Sequence, residues 1–217
     1  MFFKGIPLFS GLDDNEHQLL LRVAIRRSYP RHTLLIQECD IGESLYLLRE
    51  GRAKVYLSEP DGREVILSIL GAGDFFGEMA LLDEQPFSAN VMTMDACEFF
   101  VIGKDDFRRC LATNAGLATN LLKAMSRRLR EADQQIENLA LKDVQARVQQ
   151  VLRQLAQLEE GRMVVPARLT HRDIAGMAGA SREMVTRAFR HLEASGFVSV
   201  DGRRITISEP ATQPDGF

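Results

Sequence analysis

The spacing of apolar residues changes period partway along this chain, and that change is the main guide to its organisation. Residues 9–24 read as the start of an amphipathic helix. Between 28 and 102 the hydrophobic positions come in short runs rich in β-branched and aromatic side chains, at 34–36, 44–48, 53–57, 64–70, 89–93 and 97–102. Asp61-Gly62 is a tight hairpin signal, and Gly42, Gly51, Gly71 and Gly73 mark other turns. Many short, closely spaced strands predict an antiparallel barrel or sandwich. Past Lys104 the period becomes helical. Ala118, Leu122, Met125, Leu129, Ala132, Ile136 and Leu139 alternate spacings of four and three, the a/d seam of a coiled coil about three heptads long. A helix laid on its own barrel usually shows a broader apolar face, so the narrow seam predicts a parallel dimer helix. A further helix is expected over 143–158, closed by a turn at Glu159-Glu160-Gly161.

The segment 169–192 carries the most chemistry. It reads as a short helix, a glycine turn and a second helix. Thr170 caps the first helix, with Asp173 as the reciprocal partner of a capping box. Ala175 is small enough for close helix approach, Gly179 permits the turn, Val185 packs between the helices, and Ser181 caps the second helix. That spacing is a DNA-binding helix-turn-helix. An ordinary packed helical hairpin would tolerate the same small residues, but Arg182, Glu183 and Arg187 add base-reading side chains to the exposed face. An arginine fork is bidentate to guanine, and a carboxylate accepts from the cytosine amino group. Glu183 and Arg187 are also spaced for a local ion pair. The helix start and the Ser181 hydroxyl favour phosphate, and Thr170, His171 and Arg172 are expected backbone contacts that set register. Residues 196–200 and 203–207, joined at Asp201-Gly202, predict a hairpin wing, and the tail after Pro210 reads as disordered.

Composition adjusts this picture in three ways. At 217 residues and 45% hydrophobic the chain fits one large or two modest domains. Its net charge of −3 is unusual for a DNA binder, but from Asp143 onward ten arginines face nine acidic residues. Binding must therefore depend on where the arginines sit. No apolar run approaches the roughly 20 residues of a membrane span, and the N-terminus is too short in its apolar part for a secretory signal. Cys39, Cys97 and Cys110 suit reduced thiols in a cytoplasmic protein and match neither zinc nor iron–sulfur spacing. They are expected to be buried small hydrophobes, with a redox sensor as the alternative. His17, His32, His171 and His191 are scattered without ligand-like partners, so no metal-ligand cluster is expected, and they neither support nor exclude a haem. There is no paired nucleophile and base and no triphosphate loop, which argues against an enzyme.

With strands, long helix and winged helix-turn-helix in this order, the chain resembles the CRP/FNR family of bacterial transcription regulators, in its CRP-like branch. The likeness spans residues 8–208. It is carried most specifically by Phe76-Gly-Glu-Met-Ala-Leu-Leu, Ser88-Ala and Ser181-Arg-Glu-Met-Val-Thr-Arg. The resemblance implies an α+β fold: an N-terminal cyclic-nucleotide-binding β-roll (1–112), a dimerisation helix (113–142) and a C-terminal winged helix-turn-helix (143–217). It implies a homodimer reading a TGTGA-type palindrome through Arg182, Glu183 and Arg187, with RNA polymerase as a further partner and no membrane. In cyclic-AMP binders of the family, the residue matching Glu78 takes the ribose hydroxyl, and the serine matching Ser88 with adjacent amides holds the phosphate. Gly77 and Ala89 belong to the same cassette. Two positions depart from that pattern. Phe87 stands where the family has an arginine, and Ala132-Asp133 stand where a Thr-Ser pair touches adenine. The cassette loop is also one residue shorter than in CRP. Without the arginine, a cyclic phosphate loses its strong counter-charge. Asp133 could accept from a purine amino group or could be a solvated flank. The effector expected is thus a cyclic nucleotide or dinucleotide, with cyclic di-GMP favoured over cyclic AMP and Arg168 as one outlying contact for it. The alternative is a ligand-independent DNA-binding protein with a degenerate β-roll. The FNR-type N-terminal cysteine cluster is absent.

Overall fold

The computed structural model describes residues 2–165, 169–201 and 204–208. Arg168, the wing pair Gly202 and Arg203, and the tail expected to be disordered lie outside the described residues. The chain divides into two compact units, 1–133 and 134–217.

The first unit contains strands β1 (Ile25–Tyr29), β2 (Leu34–Ile36), β3 (Ser44–Glu50), β4 (Ala53–Ser58), β5 (Glu64–Leu70), β6 (Phe75–Phe76), β7 (Asn90–Thr93) and β8 (Cys97–Gly103). They form two four-stranded antiparallel sheets, ordered β1-β8-β3-β6 and β2-β7-β4-β5. Helix α1 (Asp14–Val23), the short α2 (Glu78–Asp83) and α3 (Lys104–Thr113) belong to this unit. Strand alternation sorts β3 and β8 between two cores. Leu45, Leu47 and Ile102 join Phe3, Phe9, Leu20 and Phe107 on the helical side. Leu48, Phe99 and Cys97 join Ile36, Phe76 and Val91 between the sheets. Each fully buried side chain of this size contributes about 1.5–3 kcal/mol, so both faces of the first sheet are apolar. The expected N-terminal helix begins later than its apolar pattern, at Asp14. Asp13 forms a capping box with Glu16, and Phe9 lies in a preceding 3-10 turn.

Helix α4 (Ala115–Leu141) carries two apolar stripes, which corrects the reading of a single narrow seam. Leu117 and Leu121 are buried in the first unit, with Ala124 and Met125 packed against the same core. The helix therefore does pack on its own β-roll. The second stripe has no cover among the described residues: Leu122, Leu129 and Ile136 are 68%, 65% and 65% exposed, and Ala132 is exposed too.

The second unit holds α5 (Val144–Leu155), α6 (His171–Ala178) and α7 (Arg182–Ala194). Beside them is an antiparallel sheet of β9 (Gln157–Glu159), β10 (Arg162–Val165), β11 (Val198–Asp201) and β12 (Arg204–Ile207), ordered β11-β12-β10-β9. The turn at 159–161 thus joins two strands, and α5 stops three residues before its expected end. Val148, Leu152, Ile174, Val185, Phe189, Leu192, Phe197 and Ile205 form the core. Of the cysteines, Cys97 is buried and Cys110 half-buried, but Cys39 is exposed, against expectation. It occupies a left-handed turn with φ of 70°. Burial pushes the Cys97 and Cys110 thiols up, which disfavours a reactive thiolate.

Candidate functional site

The helix-turn-helix is built from its caps outward. The Asp173 amide donates to Thr170 Oγ1 at 3.2 Å, and the Thr170 amide donates to Asp173 Oδ2 at 2.8 Å. Two of the orphan donors at the start of α6 are thereby satisfied. Gly179 closes α6 with φ of 56° and ψ of 47°, the left-handed region that glycine enters without a Cβ clash. A Cβ there would lie 2.6 Å from Leu139 Cδ2. Leu139, expected in the dimer seam, therefore also touches the turn. Ser181 then caps α7, its Oγ accepting the Met184 amide at 3.2 Å.

On α7, Val185, Ala188, Phe189 and Leu192 face the core, which turns Arg182, Glu183 and Arg187 outward and exposed. Its own amide and the Ser181 hydroxyl close by, with the charge of Arg182 beside them, hold the Glu183 carboxyl below the usual range. Among the described residues it has no ion pair with Arg187. The carboxylate is thus ionised and free at its outer edge to accept. Arg190 is exposed on the same face, three residues past Arg187 and seven past Glu183. The helical period that placed the other three would have found it. At the start of α6, His171 stacks on Phe189 with centroids 4.7 Å apart, and its Nδ1 lies 3.4 Å from Thr186 Oγ1. Thr170, His171 and Arg172 are all exposed there.

The cassette in the first unit is assembled from distant segments. Gly77, at φ of 90°, sits where a Cβ would be 2.5 Å from the Ser44 carbonyl oxygen, so only glycine fits between β6 and α2. Glu78 follows and is 1% exposed. Its Oε1 accepts from Arg128 Nη1 at 2.6 Å, and its Oε2 has no partner. Arg128 also donates to the Phe75 carbonyl and lies 4.6 Å from the Phe75 ring centroid. Burial raises the Glu78 carboxyl, and Arg128 works against that rise. Arg128 escaped the sequence reading. It continues the inward stripe Leu117, Leu121, Ala124 on α4, and that stripe was the available signal.

Phe87 is half-buried. Its ring packs against the core between the sheets, with Val91 and Phe99 among its members. Its backbone is tied to the neighbouring loop, the Phe87 amide donating to Asp40 O and the Cys39 amide to Phe87 O, both at 2.9 Å. Ser88 is exposed, Ala89 is buried, and Asp133 is exposed on α4 more than a turn past Arg128. The structure therefore brings Gly77 and Glu78 together with Arg128, and turns Phe87 to packing. What remains at Glu78 is one buried acceptor able to take a hydroxyl, and leaving such a group unmade costs about 1–3 kcal/mol.

Among the described residues no group of side chains could hold a metal ion, and no helix is long and apolar enough to cross a membrane. Residues 26–114 match the cyclic nucleotide-binding domain model, and residues 146–212 match the Crp-like helix-turn-helix model. The chain is 33% identical to the cyclic AMP receptor protein of Thermus thermophilus, over 96% of this chain and 95% of that protein. It is 31% identical to the CRP-like cAMP-activated global transcriptional regulator of Mycobacterium tuberculosis, over 93% and 92% of the two chains. Among solved structures it is similar to the c-di-GMP responsive global regulator CLP of Xanthomonas campestris. There the TM-score is 0.78 and the identity 26%, covering 91% of this chain and all of that one. The catabolite activator protein structure from Thermus thermophilus matches with a TM-score of 0.56 and 32% identity, over 94% and 95% of the chains. With a cyclic nucleotide-binding β-roll, a long helix and a Crp-like helix-turn-helix in one chain, this protein belongs to the CRP/FNR family, whose members are DNA-binding transcription regulators and not enzymes.

Proposed function

We propose that the protein is a homodimer whose α7 reads a TGTGA-type palindrome and whose DNA binding answers to a cyclic nucleotide or dinucleotide. The observation that carries this reading is the single outward face of α7. It offers two arginine forks suited to guanine and an ionised carboxylate suited to cytosine, one helical turn apart. Thr170, His171 and Arg172 contact the phosphate backbone and set register. The uncovered α4 stripe through Leu122, Leu129 and Ile136 meets the same stripe of a second chain. Residues 1–112 then sense, 113–142 dimerise and 143–217 bind DNA.

The effector reading rests on Glu78. A buried carboxylate oxygen without a partner suits a ribose hydroxyl, which cyclic AMP and cyclic di-GMP both carry. The names of the curated relatives favour cyclic AMP, and the name of the CLP structure favours cyclic di-GMP. Phe87 tips the balance toward the dinucleotide. With its ring in the core and Arg128 already committed to Glu78, a cyclic phosphate placed as in CRP has no arginine to answer it. Cyclic di-GMP is accordingly the favoured effector. The same Phe87 supports the second reading, a constitutive DNA binder without a ligand. Calorimetric titration against cyclic AMP, cyclic GMP and cyclic di-GMP, followed by binding to a TGTGA-N6-TCACA duplex with and without each, tests both readings. Heat from cyclic di-GMP coupled to a change in DNA affinity supports the first. No heat from any of the three, with tight DNA binding, supports the second.

A further inference from the structure

Arg147, in the first turn of α5, makes three hydrogen bonds, all to backbone carbonyls near helix ends. Its Nε donates to Ala178 O at 2.8 Å, its Nη2 to Gly179 O at 3.3 Å and its Nη1 to Lys142 O at 3.0 Å. Ala178 is the last residue of α6, Gly179 is the turn of the helix-turn-helix, and Lys142 directly follows α4. Carbonyls at a helix C-terminus lack intrahelical donors and carry the negative end of the helix dipole. A planar guanidinium with several fixed N–H groups can serve three of them at once, whereas a lysine ammonium is a single point charge. Leu139, in the last turn of α4, meets the same Gly179. The turn is thus tied to the end of α4 by one polar and one apolar contact. Ser181 caps α7 two residues later, so wherever the turn is held, the start of α7 with Arg182 and Glu183 follows.

We propose that Arg147 is a positioning residue for DNA reading. It fastens the turn of the helix-turn-helix to the end of α4, so that the aim of α7 is set by α4 and not by the three-helix core alone. This rests on α7 being the DNA-reading helix. The clamp joins the C-terminal residues of the helix that carries Arg128 at its middle.

The test uses the full chain in two measurements: hydrogen–deuterium exchange by mass spectrometry, and fluorescence anisotropy with a labelled TGTGA-N6-TCACA duplex and a random duplex. Arg147→Ala is expected to speed exchange across 176–184 about tenfold while β10 keeps its protection. It should weaken palindrome binding about tenfold and random-duplex binding by less than about twofold, because aim and not charge is lost. Arg147→Lys keeps the charge without the fork and should behave like Arg147→Ala. Leu139→Ala should speed exchange in the same segment, and its effect on palindrome affinity should be less than additive with that of Arg147→Ala, since both hold one turn. The proposal is overturned if exchange in 176–184 stays at the wild-type rate, or rises uniformly from α5 to β12, or if both duplexes weaken in the same ratio. Should Arg147→Ala fail to fold, wild-type exchange and palindrome binding in Arg147→Lys overturn it equally. A wild-type protein that does not discriminate the palindrome would sink the DNA reading instead, and the exchange result would then decide the clamp on its own.

Discussion

The outward face of α7 comes from one helix, whereas the cassette is put together from four separated stretches. Those stretches are Asp40 to Ser44, Phe75 to Glu78, Phe87, and Arg128 of α4. In the first case each functional side chain points outward because its neighbours three and four residues away point inward. In the second, the chemistry of each group is set by what another segment brings to it. Glu183 lowers its own pKa with its own amide and its own cap. Glu78 is raised by burial and steadied by an arginine fifty positions away. A face on one helix can be transplanted with its helix. A pocket of this kind cannot be moved with any one of its elements.

The comparison can be broken most sharply through the partner chain. Leu129→Asp places like charges opposite each other in the proposed seam, and palindrome affinity should fall at least about a thousandfold as one half-site contact is lost. The melting temperature should fall as well and lose its dependence on protein concentration, because a partner chain that binds only the folded state stabilises it by mass action. Sedimentation of the wild type as a monomer at micromolar concentration would end that prediction. Next in size, Arg182→Ala should weaken the palindrome by about 1–3 kcal/mol per half-site and relax base preference, while Arg172→Ala weakens all DNA alike. Equal loss on specific and random duplexes in both variants would show that the roles are misassigned.

Phe87→Arg sharpens the cassette side. Charge alone predicts tighter cyclic AMP binding, yet the ring it removes packs in the core between the sheets. The variant should lose about 2 kcal/mol of stability in denaturant melts, and Phe87→Leu less than about 1.5 kcal/mol. Tight cyclic AMP binding by the wild type, lost in Glu78→Ala, would restore the ordinary CRP reading. The smallest effect is on pH. Because burial raises the Glu78 carboxyl, the folded state holds its proton more firmly than the unfolded chain does. The stability this group contributes is full below the ordinary carboxyl pKa, about 4.3, and is lost as pH climbs through the raised value. Glu78→Gln has no such proton, so the melting temperature of the wild type relative to Glu78→Gln should decline with rising pH. A constant difference from pH 4 to 8 would contradict the burial assignment.

Much of the helix-turn-helix was legible because caps and helical period are local. Thr170, Asp173, Gly179 and Ser181 each take the place their residue type suggests. The strand runs were legible for the same reason, though β1, β6, β9 and β10 went unseen: β1 is polar and mostly exposed, β6 is two residues long, and β9 and β10 are short strands either side of the 159–161 turn. Arg128 was hidden because its partner lies in another element. The inward apolar stripe of α4 was hidden because Leu117 and Leu121 each directly precede a seam position, Ala118 and Leu122, and read as its flank. Phe87 was noticed as a missing arginine, but only packing shows that the ring has an occupation of its own.

In the proposed reading, the unpartnered Oε2 of Glu78 also makes this protein its own detector. A buried acceptor left without a donor is a standing penalty on the free protein, and any ligand that brings a hydroxyl to it removes that penalty from the folded state alone. At a hundred times its dissociation constant, a ligand binding only the folded state adds about 2.7 kcal/mol of stability. The chain contains no tryptophan to report binding by intrinsic fluorescence. Thermal melting needs neither such a reporter nor any DNA, so it can rank candidate effectors before a target promoter is known, and Glu78→Gln supplies the matched blank.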